Sequence, residues 1–189
     1  MKIIQYDDGL RPIYRQCIHH VIEKKPKEIE HVLIEKAEIE ARCDDYRGVS
    51  NVLRVQEACK NPDMLWLDSD ILVKKWPDFE FKPGKPYFAH GLSGNPENWI
   101  FYVNGRCDYF QSLMDRYIEN KGWTDLYWMA RMIQANPKEV ELFPRGYFIH
   151  LYLSRAVKSG KHFSNYGNNN YNVYRDPETD ELKLDIRMK

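Results

Sequence analysis

Apolar residues along this chain fall into two alternating rhythms. Lys2-Ile3-Ile4-Gln5-Tyr6 is a short apolar run closed by Asp7-Asp8-Gly9. From Pro12 the spacing changes, and Tyr14, Cys17, Ile18, Val21 and Ile22 recur at helical intervals until Lys24-Lys25-Pro26. Runs of the first kind predict strands; the second kind predicts a helix entered at a Pro and stopped before one. His31-Val32-Leu33-Ile34-Glu35 predicts a second strand, and the acidic stretch Glu35 to Asp45 fits either a loop or a short helix. Ser50 can cap a helix through Lys60, with Val52, Val55 and Cys59 on one face. Met64-Leu65-Trp66-Leu67 then reads as a strand buried on both faces, bounded by Asn61-Pro62-Asp63 and followed by Asp68-Ser69-Asp70. Strand-helix alternation of this kind predicts an α/β fold with ligands at the carboxyl ends of parallel strands.

The second half changes character. Pro86 to His90 and Trp99 to Val103 read as strands separated by the loop Gly91 to Pro96. Helices are expected from Asp108, with Phe110, Leu113, Met114 and Tyr117 inward, and from near Thr124, with Leu126, Met129, Ala130 and Ile133 in phase. Val140 to Phe143 and Tyr147 to His150 predict further strands. Beyond His162 the polar, Asn-rich composition predicts a loop or flexible tail. No linker marks a second domain, so one domain is expected over the 189 residues.

Asp68 and Asp70 are where chemistry concentrates. A buried strand has no structural use for two carboxylates at its end, because desolvating an unpaired carboxylate costs several kcal/mol. A bound cation solves that problem. Asp-x-Asp at a strand end suits oxygen-ligated Mg²⁺ or Mn²⁺ carrying a diphosphate. Asp7 and Asp8 also fall at a strand end, which converges on the same side of the sheet.

Charge removes some partners from consideration. The 28 basic and 28 acidic residues balance, so no global field draws the protein to nucleic acid or anionic membrane. Cys17, Cys43, Cys59 and Cys107 lack metal or disulfide spacing and read as small core hydrophobes in a reducing compartment. The amino terminus shows no apolar signal region, and no run approaches the roughly 18 apolar residues of a membrane span. A soluble, cytoplasmic protein is expected.

With these elements placed, the order of motifs resembles glycosyltransferases of the GT-A fold, most of all the small retaining, metal-dependent enzymes that use nucleotide sugars. The resemblance covers most of residues 1 to 155 as an order of motifs. It implies a mixed, mostly parallel Rossmann-like sheet flanked by helices. Ser50-Asn51-Val52-Leu53-Arg54 stands where that family carries Ser-Asp-x-x-Arg, one helix before Asp68-Ser69-Asp70. Val103-Asn104-Gly105 matches an Asn-x-Gly region, Trp123-Thr124-Asp125 an Asp-containing helix start, and Phe148-Ile149-His150 a late metal-binding His. Asn51 replaces the Asp of many relatives, and the Gly and Lys-Pro-Trp that usually follow the His are missing.

The resemblance implies Asp68, Asp70 and His150 as metal ligands, with His162 in reserve, and Tyr6, Asp7, Asp8, Asn51, Arg54, Asp68 and Ser69 around the donor nucleotide. It places Asp125, Asn104 and Arg54 in catalysis. Expected function is transfer of a hexose from a nucleotide sugar, first among them a uridine diphosphate sugar, to a glycan or glycoconjugate with Mn²⁺ or Mg²⁺. A hydroxymethylated pyrimidine in DNA is the alternative acceptor. From other classes stand a metal-dependent phosphohydrolase or nucleotidyltransferase, and a catalytically silent module that binds sugar nucleotides.

Overall fold

The computed structural model describes residues 1–7, 9, 12–42, 46–90, 96–119, 125–151, 171–175, 177–179 and 181–186. At 46–51, 125, 171–175, 182, 184 and 186 it describes the backbone alone. The first half follows the expected alternation: β1 (Lys2–Asp7), α1 (Pro12–Lys24), β2 (Glu30–Glu35), α2 (Lys36–Arg42), α3 (Tyr46–Lys60), β3 (Met64–Leu67) and β4 (Ile71–Val73). Then come β5 (Tyr87–His90), β6 (Pro96–Tyr102), α4 (Cys107–Glu119), α5 (Asp125–Ala135), a 3₁₀ turn, β7 (Glu141–Leu142) and β8 (Phe148–His150). A hairpin of β9 (Tyr171–Arg175) and β10 (Leu182–Ile186) closes the described chain.

The main sheet has six strands in the order β2-β1-β3-β6-β5-β7. Neighbours pair in parallel except β6, which runs antiparallel to both β3 and β5. The fold is thus α/β with a mixed, mostly parallel sheet between helices. The reversal at β6 has a simple cause: a handful of residues joins it to β5, and parallel neighbours need a crossover of a dozen or more.

Pleating sorts the core into two layers. Ile4, Trp66, Phe88 and Phe101 point to the face covered by α3, α4 and α5. Ile3, Leu65, Leu67 and Ile100 point to the other, where Val21 of α1 and Ile71 and Val73 of β4 meet them. Rings of Tyr6, Trp66 and Phe101 stack across three adjacent strands, with centroids 6.0 and 6.2 Å apart, and form a rigid layer beneath the end of β3. On the opposite face β4 and β8 pair antiparallel, setting Ile71 beside His150.

Four expectations change. In α5, Met129 and Ile133 are buried, but Leu126 and Ala130, expected in phase with them, are exposed. Ser50 lies inside α3, which starts at Tyr46, so it does not cap that helix. Ile22 of α1 is 41% exposed, while Ile13 and His20 turn inward; the His20 ring nitrogen Nε2 donates to the Val73 carbonyl at 3.0 Å. Last, β9 and β10 stand where a loop or tail was expected. Leu182 to Ile186 pairs in register with Arg175 to Tyr171, and β10 lies against α1.

Candidate metal and donor site

β1 ends the sheet's left-hand set and β3 begins its right-hand set, because α1 leads from β1 to β2 on one face while α3 leads into β3 on the other. Such a reversal leaves a crevice at the carboxyl ends of the two strands. Here the crevice is visible in the pairing. β1 stays paired with β2 through Asp7, but it pairs with β3 only through Ile4 and Trp66. Beyond that point the two strands part, and Asp68-Ser69-Asp70 leaves β3 into the gap.

The loop is anchored from several directions. The Asp68 backbone N–H donates to the Trp99 carbonyl at 2.9 Å, and the Ser69 hydroxyl donates to the Tyr6 carbonyl at 2.5 Å. The Leu151 N–H donates to the Asp70 carbonyl at 2.9 Å, tying the loop to the end of β8. Trp66, fully buried, sends its Nε1–H to Asp68 Oδ1 at 2.7 Å. Arg54 of α3 is 5% exposed; its Nη1 lies 3.3 and 3.5 Å from the two Asp68 oxygens and 3.0 Å from the Asn98 carbonyl. Asp68 is therefore half of a mostly buried ion pair whose cation arrives from beneath.

The three ligands expected from sequence converge. Asp68, Asp70 and His150 each offer one ligand atom, and the three atoms lie within 4.8 Å of one another. His150 Nε2 is 3.4 Å from Asp70 Oδ1. Their side chains keep 16, 14 and 20% of their surface, enough for a ligand to reach them. Two carboxylates and an imidazole form a hard-to-borderline donor set that fits Mg²⁺ or Mn²⁺. The Trp99 ring packs 5.3 Å from that of His150. Below, burial first and the Asp70 charge second push the Cys17 thiol well up, so it remains a protonated core side chain.

Other expected residues are distributed unevenly. Tyr6 closes the stacked layer at the edge of the crevice. Asp7 sits at the same end of the sheet but turns to the α1 side, where Arg15 Nε donates to it at 2.6 Å and the Gly9 N–H at 2.9 Å. There it lines a cleft of about 400 Å³ with Arg15, His19, Glu35 and Lys36. Asp8 and His162 lie outside the described residues, as do the side chains of Asn51 and Asp125, whose backbones belong to α3 and the start of α5.

Asn104 is not brought to the cluster. Val103 N–H donates to the Met64 carbonyl and Gly105 N–H to that of Pro62, so Asn104 stands at the beginning of β3. At roughly 3.3 Å per residue this is about 15 Å from Asp68 along the strand. Its φ of 51° and that of Gly105, 82°, form a left-handed turn. Asn tolerates that conformation, and its Nδ2 donates to the carbonyls of Lys82 and Lys85, both at 2.7 Å. This is a structural role.

Sequence reasoning missed Gln5, Trp66, Asn98 and Trp99. The last two carry no local sequence signal, because pairing on β6 places them. Between Phe88↔Phe101 and Ala89↔Glu97 the register shifts, so Asn98, Trp99 and Ile100 bulge beside Asp68. Bulges re-aim side chains next to active sites. The Trp66 contact yields a test. Trp66→Phe keeps the ring layer but removes the donor to a carboxylate, a bond contributing about 1.5–3 kcal/mol. Thermal unfolding should drop by roughly 5 °C, taking about 2–4 °C per kcal/mol for a chain of this size.

No protein-family model matches the sequence, and no curated protein shows significant sequence similarity to it. Solved structures do match. One is a glycosyltransferase involved in glycosylation of the major capsid of PBCV-1, with TM-score 0.61 and 16% identity over 83% of this chain and 96% of that one. Another is the galactosyltransferase LgtC in complex with donor and acceptor sugar analogues, with TM-score 0.51 and 12% identity over 75% of this chain and 73% of that one. A third is the apo glycosyltransferase GlyE of Streptococcus pneumoniae TIGR4, with TM-score 0.52 and 11% identity over 76% of this chain and 44% of that one. At such identities the likeness speaks to architecture. The chain has the GT-A glycosyltransferase fold, with an Asp-Asp-His cluster at its Asp-x-Asp loop.

Proposed function

We propose that this protein is a metal-dependent glycosyltransferase that moves a hexose from a nucleotide sugar, with uridine diphosphate as the first candidate carrier, to a hydroxyl of a glycan or glycoconjugate. The observation that carries this reading is the convergence of Asp68, Asp70 and His150 at the mouth of the β1–β3 crevice. On this reading the three side chains hold one Mn²⁺ or Mg²⁺. When bound, the cation supplies Lewis-acid stabilisation of the charge that develops on the departing diphosphate, with no proton required.

The remaining work falls to the chain. Arg54 and the Trp66 N–H hold the Asp68 carboxylate in a fixed orientation, so little reorganisation is needed as charge moves. Tyr6 borders the space for base and ribose; Asp7, turned toward Arg15 on the α1 side, would have to swing from that pairing to join it, and Asp8, Asn51 and Ser69 complete that list from the sequence. Asp125, at the start of α5, orients the donor sugar. The order of motifs supports retention of configuration at the anomeric carbon, and proton NMR of the product would report it.

Among the described residues one metal-type cluster is found, with two carboxylates. Hydrolases that work with two metals use more, which favours transfer over phosphohydrolysis. The balanced charge lends no support to a DNA acceptor. The test is an assay of nucleoside diphosphate release from a panel of nucleotide hexoses. The expected result is Mn²⁺-dependent release from a uridine diphosphate hexose that accelerates when an acceptor glycan is added. Tight nucleotide binding without release from any donor would make this a silent binding module.

A further inference from the structure

Gln5 is 0% exposed in the middle of an aliphatic layer, between Ile3 and the end of β3. A primary amide buried there without partners would cost several kcal/mol. Its partners are specific. Gln5 Nε2 donates to the Asp68 carbonyl at 3.2 Å, and Gln5 Oε1 faces His31 Nε2 at 2.9 Å. Because the Asp68 carbonyl must receive a donor, the amide orientation is fixed, and His31 Nε2 must carry the proton. His31 is part-buried on β2; burial first, and Lys25 second, lower its pKa, favouring the neutral ring.

These bonds sit where backbone pairing stops. β1 and β3 share a ladder only as far as Ile4 and Trp66. Past it, the Gln5 amide bridges from β1 to the Asp68 carbonyl, and the Ser69 hydroxyl bridges back to the Tyr6 carbonyl. Side chains take over from the ladder at the residue where the strand becomes the metal loop. The Ser69 bridge runs from the loop itself, whereas Gln5 and His31 reach it from two neighbouring strands.

We infer that Gln5, locked by His31, is a positioning residue that holds the floor of the crevice and sets the backbone from which Asp68 and Asp70 project. The inference rests on the metal-binding reading above. Neither side chain touches the ligand atoms; the effect passes through the Asp68 carbonyl. Partners that orient metal ligands typically alter metal affinity about 10–100-fold when removed.

The test uses Gln5→Met, His31→Phe and His31→Gln in the full chain, each checked for folding by circular dichroism. Mn²⁺ binding to nucleotide-free protein is measured by calorimetry, and amide hydrogen exchange at residues 68–70 is measured without metal. Gln5→Met is expected to weaken Mn²⁺ about 10-fold and His31→Phe about 5-fold, at the lower end of that range or just below it. Exchange at residues 68–70 should quicken in both, and His31→Gln, which restores a donor to Gln5, should recover most of the loss. If Gln5→Met fails to fold, the two His31 variants carry the comparison. Wild-type affinity and exchange in His31→Phe, or His31→Gln behaving like His31→Phe, would overturn the inference. Should the unaltered protein bind no Mn²⁺, the metal reading itself fails, and the exchange rates then judge the clamp alone.

Discussion

Asp70→Ala is expected to lower kcat/KM for a nucleotide-sugar donor about 10²- to 10³-fold while leaving the fold in place. The loss corresponds to about 3–4 kcal/mol of stabilisation on the leaving diphosphate, the scale of a Lewis-acid contribution. Folding should tolerate the change because the Asp70 backbone, through its carbonyl bond to Leu151, holds the loop to β8 without the carboxylate. Removing one of two neighbouring carboxylates also relieves like-charge repulsion in the metal-free protein. Steady-state kinetics with a circular-dichroism melt checks both halves. An Asp70→Ala enzyme with unchanged kcat/KM and unchanged dependence on Mn²⁺ would remove Asp70 from the site.

Arg54→Ala is expected to act in the opposite sense, on stability before chemistry. Arg54 is 5% exposed and faces Asp68, so its loss leaves a mostly buried carboxylate without its cation. Breaking such a pair costs about 3–5 kcal/mol, which for a chain of this size lowers the melting temperature by roughly 10 °C. Adding Mn²⁺ should then raise the melting temperature of Arg54→Ala by more than that of the unaltered protein. An Asp68 carboxylate no longer shared with a guanidinium attracts the ion more strongly, and ligand binding stabilises by mass action. Arg54→Lys should fall between the two, since it keeps the charge but loses the fork that also reaches the Asn98 carbonyl. A melting temperature for Arg54→Ala within about 2 °C of the starting protein, less than 1 kcal/mol, would show that the ion pair carries little.

Sequence pattern was a good guide wherever one short-range rule acts alone. Met64 to Leu67 is a four-residue apolar run, and it is fully buried on both faces, with carboxylates following at the crevice. Pro12 and the Lys24-Lys25-Pro26 stop bracketed α1, which runs Pro12–Lys24, though the spacing put Ile22 on the wrong face. Asn104 shows where such reading fails. Val-Asn-Gly is a turn signal as well as a motif, and only the antiparallel register of β6 against β3 reveals which end of the sheet it occupies. The same strand hid Asn98 and Trp99, because a bulge is set by how two strands accommodate each other.

At the carboxyl end, composition outweighed pattern. Asn-rich polarity after His162 suggested a tail, yet Leu182-Lys183-Leu184-Asp185-Ile186 alternates at the two-residue period of a strand, with Pro177-Glu178-Thr179 as the turn before it. Gln5 was invisible for a different reason. A polar residue within an apolar run reads as an edge or surface position, and its bonds to Asp68 and His31 join residues 63 and 26 positions away. Burial with long-range partners has no local signature.

One measurement bears most directly on the site: the melting temperature of the protein with uridine diphosphate, with and without Mn²⁺. Asp68 and Asp70 repel a bare diphosphate, and a bound cation reverses that sign. The nucleotide should give no shift in the presence of a chelator and a clear rise with Mn²⁺, about 2.7 kcal/mol at a ligand concentration 100 times Kd. Equal stabilisation in chelator and in Mn²⁺ would contradict a metal bridge at Asp68, Asp70 and His150.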